Sequence, residues 1–143
     1  MGHSNPPDDQ LRHLLTHAQA IAVVGASSHP WRSSNGVMRR LLQAGYTVIP
    51  VNPNETEVLG QRAYPSLLDL PVPIDIVDVF RRSEYTPAIA DEAVTIGAKA
   101  LWLQEGVVSA EAAARAERGG VVTIMDACLA TMLAFLRIPN RRS

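Results

Sequence analysis

The chain lacks most of what dedicated catalysts and secreted scaffolds rely on. It has one cysteine, Cys128, which excludes an intrachain disulfide and leads to the expectation of a reducing, cytoplasmic setting. Charge of one sign is also missing. Thirteen basic residues face fourteen acidic ones, a net charge of −1, so there is no electrostatic case for a nucleic-acid partner or for an anionic membrane. No apolar run approaches the roughly 18 residues of a membrane span. MGHSNPPDDQ has no apolar signal core. Its Met-Gly start resembles a myristoylation site only loosely, because position 6 is Pro6. The four histidines, His3, His13, His17 and His29, all fall in the first thirty residues. His13 and His17 have a chelating i, i+4 spacing, but no third ligand is evident nearby, and solvated helix histidines are the expectation.

What is present is an alternation of two patterns. Five β-like runs, Ile21–Gly25, Thr47–Val51, Ile74–Phe80, Ala100–Gln104 and Val121–Met125, are mostly continuous apolar segments. Such runs suit strands covered on both faces, hence a parallel sheet. Helical stripes fill the gaps. Leu11, Leu14, Leu15 and Ala18 precede the first strand, and Met38, Leu41 and Leu42 follow a start near Asn35. Ile89, Ala93 and Ile96 follow Thr86-Pro87, read as N-cap and N1. Ser109 is expected to cap Ala110–Arg118. A last helix is expected from Asp126, as its cap, to Leu136, where the run from Ala130 covers either a dimer partner or its own core. The expectation is a single α/β domain, a doubly wound five-stranded parallel sheet over residues 11–138, with strand order 3-2-1-4-5. Residues 1–10 are expected to be flexible, and 139–143 a tail, frayed over 140–143.

Ligands of such sheets bind outside the carboxyl ends of the strands, at the switch point. There the chain carries VGASSHPWRSSNGV, residues 24–37. Gly25 permits close approach, Ser27, Ser28, Ser33 and Ser34 offer hydroxyls, Arg32 offers a charged fork, and the following helix points free N–H groups and its positive end back at the loop. A phosphate fits this set. An NAD site does not, since Gly-x-Gly-x-x-Gly is absent and strand two ends in Val51-Asn52-Pro53-Asn54 without a carboxylate for the ribose. Strand three ends in Phe80-Arg81-Arg82; both arginines face the crevice, or one does and the other is solvated. Strand four ends in Trp102-Leu103-Gln104-Glu105-Gly106, with Trp102 expected in the core and Gln104 able to bond a ligand amide or ribose. Asp75 and Asp78 are three apart on a strand and do not form a carboxylate pair. Cys128 stands near a helix start without a partner histidine.

Val-Val-Gly-Ala-Ser at strand one, Pro-Val-Asn-Pro at strand two, Asp-Ile-Val-Asp-Val-Phe-Arg at strand three and Leu-Trp-Leu-Gln-x-Gly-Val at strand four together resemble the small stand-alone CoA-binding proteins, which are similar to the CoA-binding domain of the succinyl-CoA synthetase α subunit. The resemblance covers residues 12–130. It implies a Rossmann-like domain binding coenzyme A or an acyl-CoA, with Gly25, Ala26, Ser27, Arg32 and Ser34 lining the pyrophosphate loop. Asn52, Pro53 and position 54 would flank the adenosine part. Phe80 and Arg81 would lie along the CoA chain, with Gln104 and Gly106 near its far end. Family members often carry lysine after the Asn-Pro of strand two and Asp-Arg-Cys after strand five; here these positions hold Asn54 and Ala127. The synthetases' phosphohistidine domain has no counterpart in this sequence, so ligase activity is not implied. The functional expectation is non-catalytic binding of CoA. The alternatives are a ligand-free regulatory or interaction module and an NAD(P)-type enzyme. A homodimer or an unknown protein partner stays open.

Overall fold

The computed structural model describes residues 3–141. Met1 and Gly2, including the myristoylation-like start, and the tail residues 142 and 143 lie outside the described residues. The elements run α1 (Asp8–His17), β1 (Ala20–Val24), α2 (Ser33–Gln43), β2 (Thr47–Val51), β3 (Glu57–Val58), β4 (Gln61–Arg62), β5 (Ile76–Val79), α3 (Thr86–Thr95), β6 (Ala100–Leu103), α4 (Ala110–Arg118), β7 (Val122–Ile124) and α5 (Leu129–Phe135). Single 3-10 turns occupy Leu67–Asp69 and Ser83–Tyr85. The long strands pair in parallel, and β3 and β4 form a small antiparallel hairpin.

The continuous apolar runs are strands buried on both faces. Alternate residues divide between two cores. Ile21, Val23, Ile76, Trp102 and Ile124 meet α1, α2 and α5 on one side, while Ala22, Val24, Val77, Val79, Leu101 and Leu103 meet α3 and α4 on the other. Trp102 is fully buried, with its Nε1–H donating to the Ala127 carbonyl at 2.9 Å. The C-terminal run serves its own core, since Leu129, Leu133 and Leu136 bury in the first cluster while Phe135 stays exposed.

The strand order differs from the expected 3-2-1-4-5. It is β2-β1-β5-β6-β7, or 2-1-3-4-5 counting the parallel strands alone. The reason lies in the two strands concerned. Pro50 in β2 lacks an N–H, and its carbonyl accepts from Tyr64 on the side away from β1. That outer side makes one isolated bridge, Val51 to Tyr64, and suits an edge strand. All four residues of β5 are buried, which calls for neighbours along both edges. The switch point thus falls between β1 and β5.

Three local expectations are also corrected. α2 begins at Ser33, two residues before Asn35. Thr86 is the first residue of α3 and not its cap; its hydroxyl donates back to the Ser83 carbonyl at 2.7 Å, and Tyr85 is the N-cap. Asp126 does not cap α5, because it adopts a left-handed φ of 56° and gives its carboxylate to the Gly106 N–H at 2.8 Å, so the helix starts at Leu129. Ser109 caps α4 as expected, accepting from the Ala112 N–H at 3.0 Å. At the ends of the chain, Asn5 exchanges two hydrogen bonds with the Met125 main chain, both 2.9 Å. The 1–10 segment set apart as flexible therefore includes a tie to the end of β7 and the first turn of α1. In the tail, the Arg141 N–H donates to the Ala44 carbonyl at 2.7 Å and its guanidinium lies 4.6 Å over the Tyr46 ring.

The amino ends of the strands are tied by Asp75. Its Oδ2 accepts from the N–H groups of Gln19 (2.7 Å) and Ala20 (3.0 Å), and Lys99 Nζ lies 3.3 Å from Oδ1. Burial alone would raise this carboxyl; the Ala20 and Gln19 donors and Lys99 outweigh it and hold it below its usual range. Its contribution to stability is therefore present above the ordinary carboxylate pKa and is lost as pH falls through the lowered value. Asp75→Ala is expected to cost about 1–3 kcal/mol at neutral pH by leaving two N–H groups unpaired. In denaturant titrations the gap from the parent should close on acidification; a gap unchanged to below about pH 3 would contradict the assignment.

Candidate functional site

At the carboxyl ends of β1, β2, β5 and β6 lies a crevice of about 1690 Å³. Its rim is built by the sequence features that end each strand. β1 runs into the loop 25–32 and then α2, whose first turn no side chain caps. β5 runs into Arg81, Arg82 and a 3-10 turn and then α3, which also lacks a side-chain cap. The first turn of α2 thus opens toward the crevice, a favourable setting for an anion, whereas at the start of α3 the Thr86 N–H is taken by the Ser83 carbonyl and Pro87 has none.

Gly25 is the pivot of the first loop. Its φ is 86°, its N–H donates to the Val51 carbonyl at 2.9 Å, and a Cβ here would stand 2.7 Å from the Phe80 carbonyl oxygen. Only glycine meets both demands. The rest of the loop is held from below. Asn35 Nδ2 donates to the Ser27 carbonyl at 2.9 Å and Asn52 Nδ2 to the Ala26 carbonyl at 2.8 Å. Ser28 N–H donates to Glu55 Oε2 at 2.8 Å. Asn52 also accepts the Asn54 N–H at 2.9 Å, closing the turn after β2. Arg32 is exposed at the end of the loop and, like Arg81 and Arg82, makes no salt bridge among the described residues. His29 and Trp31 stack at 4.6 Å, leaving Trp31 exposed on the outside. Glu55, Glu84, Glu92 and Glu105 also line the crevice, so positive potential is concentrated at Arg32, the arginine pair and the start of α2 rather than spread throughout.

The structure brings the sequence-derived set together. Gly25, Ser27, Arg32, Ser34, Asn52, Pro53, Asn54, Phe80, Arg81, Gln104 and Gly106 all line this crevice, and both Arg81 and Arg82 do so. Ala26 does not; it is fully buried and serves through its carbonyl. Sequence reasoning missed the wall formed by Pro65, Ser66 and Leu67 with Ala88, Ile89 and Glu92 of α3. No periodicity joins those segments, and only the β2-to-β5 connection folding over the strand ends creates that side. Burial, with help from Asp69, raises the Glu92 carboxyl. Cys128 lines the crevice as well. The His13 and His17 rings lie 4.2 Å apart on α1, tilted by 32°, and His17 Nδ1 sits 2.9 Å from the His13 carbonyl.

Beneath the crevice sits one buried acid. Asp78 is fully buried in β5. Gln104 Nε2 donates to its Oδ1 at 2.5 Å, and Oδ2 has no partner among the described residues. Burial pushes the carboxyl up to about 7, with the Gln104 hydrogen bond opposing weakly.

Two expectations follow. Gly25→Ala combines a left-handed backbone with a clash and should cost roughly 2–4 kcal/mol. Gly106→Ala, with a φ of 84° and nothing near the new Cβ, should cost only about 1–2 kcal/mol. Equal losses of Tm in the two variants would contradict the close approach of Phe80. For Asp78, the folded state holds a proton that the unfolded chain releases, so stability is highest below the ordinary carboxylate pKa and falls as pH rises to about 7. Asp78→Asn should remove that decline, worth on the order of a few kcal/mol. A parent protein whose stability is flat between about pH 4.5 and 7.5 would contradict the burial of an ionisable Asp78.

Comparison with known proteins agrees with this geometry. A family model described as a CoA binding domain matches residues 19–134. YneT, an uncharacterized protein of Bacillus subtilis (strain 168), is 42% identical over 125 residues, which span 87% of this chain and 93% of that protein. The structure of a hypothetical protein from Pyrococcus horikoshii OT3 superposes with a TM-score of 0.90 at 38% identity, covering 96% of this chain and 99% of the other. Acetate–CoA ligase (ADP-forming) I of Archaeoglobus fulgidus is 28% identical over 125 residues; these are 80% of this chain and 18% of that enzyme. With the family model spanning every strand and the stretch from α2 to all but the last residue of α5, the chain belongs to the CoA-binding domain family.

Proposed function

We propose that this protein is a non-catalytic binder of coenzyme A or an acyl-CoA, with the ligand's pyrophosphate held by the loop 25–34. The observation that carries the reading is the convergence of Arg32, the uncapped start of α2 and the glycine turn at Gly25 on one strand-end crevice. Arg32 supplies a charge-assisted fork and Ser27 and Ser34 supply hydroxyl donors. Asn52, Pro53 and Asn54 flank the adenosine, Phe80 and Arg81 run beside the extended arm, and Gln104 and Gly106 stand near its far end. The volume, about 1690 Å³, exceeds the roughly 300–1,000 Å³ of a compact-ligand pocket and suits a long, jointed molecule. The ligase relative is named for joining acetate to CoA, yet this chain matches less than a fifth of it.

Thermal melts with CoA and with NADH test the proposal. A ligand at one hundred times its Kd adds about 2.7 kcal/mol, which in a chain of this size is a shift of roughly 8 °C. Millimolar CoA is expected to give such a shift and NADH little. Arg32→Ala should remove most of it without lowering the ligand-free Tm, since Arg32 is exposed. Shifts that are negligible or equal for both ligands would sink the proposal.

A further inference from the structure

The carboxyl of Asp78 plays no part in the binding scheme above, yet burying such a group is costly. It occupies the central strand β5, and among the described residues its one side-chain hydrogen-bond partner is Gln104, Nε2 to Oδ1 at 2.5 Å, while Oδ2 has none. Gln104 is itself buried but lines the crevice. A glutamine amide has two unlike ends, an NH2 that donates and an oxygen that accepts. Whichever end meets Asp78, the other is left for the crevice.

We propose that Asp78 is a positioning residue for the crevice: its carboxyl selects which end of the Gln104 amide is presented, the oxygen while Asp78 is ionised and the NH2 once Asp78 is protonated. In the ionised form Oδ1 can only accept, so it takes the N–H and the amide oxygen faces outward. In the protonated form the O–H donates to the amide oxygen, the amide turns over, and its NH2 faces outward as a donor. A polyanionic ligand favours the second form because it removes a buried negative charge beneath the crevice, and the outward NH2 then offers a donor to the far end of the bound arm. With the carboxyl pushed up to about 7 by burial, both forms are populated near neutral pH. Other charges do not decide the matter. Of the titratable groups bordering this core, Tyr46 is bonded to the Leu15 carbonyl and Cys128 precedes α5. Arg39 of α2 is engaged with Asn35, and Arg81 lies over the Tyr85 ring. None bonds to Asp78, and strand alternation turns it away from α3 and α4.

The ligand preference rests on the CoA reading; the amide switch does not, and the experiment separates them. In the ligand-free full chain, the Gln104 side-chain NH2 signals, assigned with Gln104→Met, are followed by NMR across neutral pH. They are expected to titrate with a midpoint near 7 in the parent and to stay flat in Asp78→Asn. CoA affinity is then measured by calorimetry from about pH 5.5 to about 8.5. The parent should weaken with rising pH by at least about fivefold more than Asp78→Asn, a comparison that cancels the titration of CoA's own phosphate. Gln104 signals that ignore pH, or affinity profiles that coincide, overturn the proposal. If Asp78→Asn does not fold, the parent NMR titration decides alone. Absence of CoA binding at every pH overturns the CoA reading instead, and the NMR result still stands or falls by itself.

Discussion

The approach of two backbones at Gly25 sets the geometry on which the rest depends. β1 and β5 are neighbours, and the chain must leave β1 toward α2 while β5 ends in Phe80 and turns toward α3. These departures on opposite faces of the sheet open the crevice. They are possible because nothing projects from residue 25 where the Phe80 carbonyl passes, 2.7 Å from where a Cβ would sit. Everything above that contact, from the Asn35 and Asn52 props to the position of Arg32, is referenced to it.

The core below is apolar with few exceptions, and the chief exception is informative. An apolar residue at Asp78 would pack as Ile76 and Trp102 do. The acid instead spends its one hydrogen bond on Gln104, the side chain at the crevice floor. Burying such a link is costly in stability, and in the proposal above it serves to set which end of the Gln104 amide faces the crevice. At the opposite end of the same strand region, Asp75 has the reverse character, an acid held ionised by two main-chain donors and a lysine. One strand and its flank thus carry a structural carboxylate and a titrating one.

Much of this was legible in the sequence because the relevant signals are local. Apolar runs marked the five strands, Ser109 marked a helix start, and the strand ends supplied the crevice residues, since topology sends all carboxyl ends of a parallel sheet to one side. What was not legible depends on long-range contacts. The strand order turned on whether the third strand sits beside the first or outside the second, and Pro50 was the overlooked clue, a residue without an N–H that belongs at an edge. Asp126 looked like a cap because it precedes a helical run, but its carboxylate is taken by Gly106, twenty residues earlier. The wall of Pro65–Leu67 and Ile89 joins segments whose adjacency only the folded connection creates.

Hydrogen–deuterium exchange of the intact protein with and without CoA reports directly on whether the strand-end crevice is the ligand site. Protection is expected in residues 25–34, 52–54, 80–85 and 104–107, with the amino ends of the strands, around residues 18–20, 74–75 and 98–100, unchanged. Protection confined to those amino ends, or exchange that CoA leaves untouched everywhere, would contradict the assignment of this crevice as a coenzyme A site.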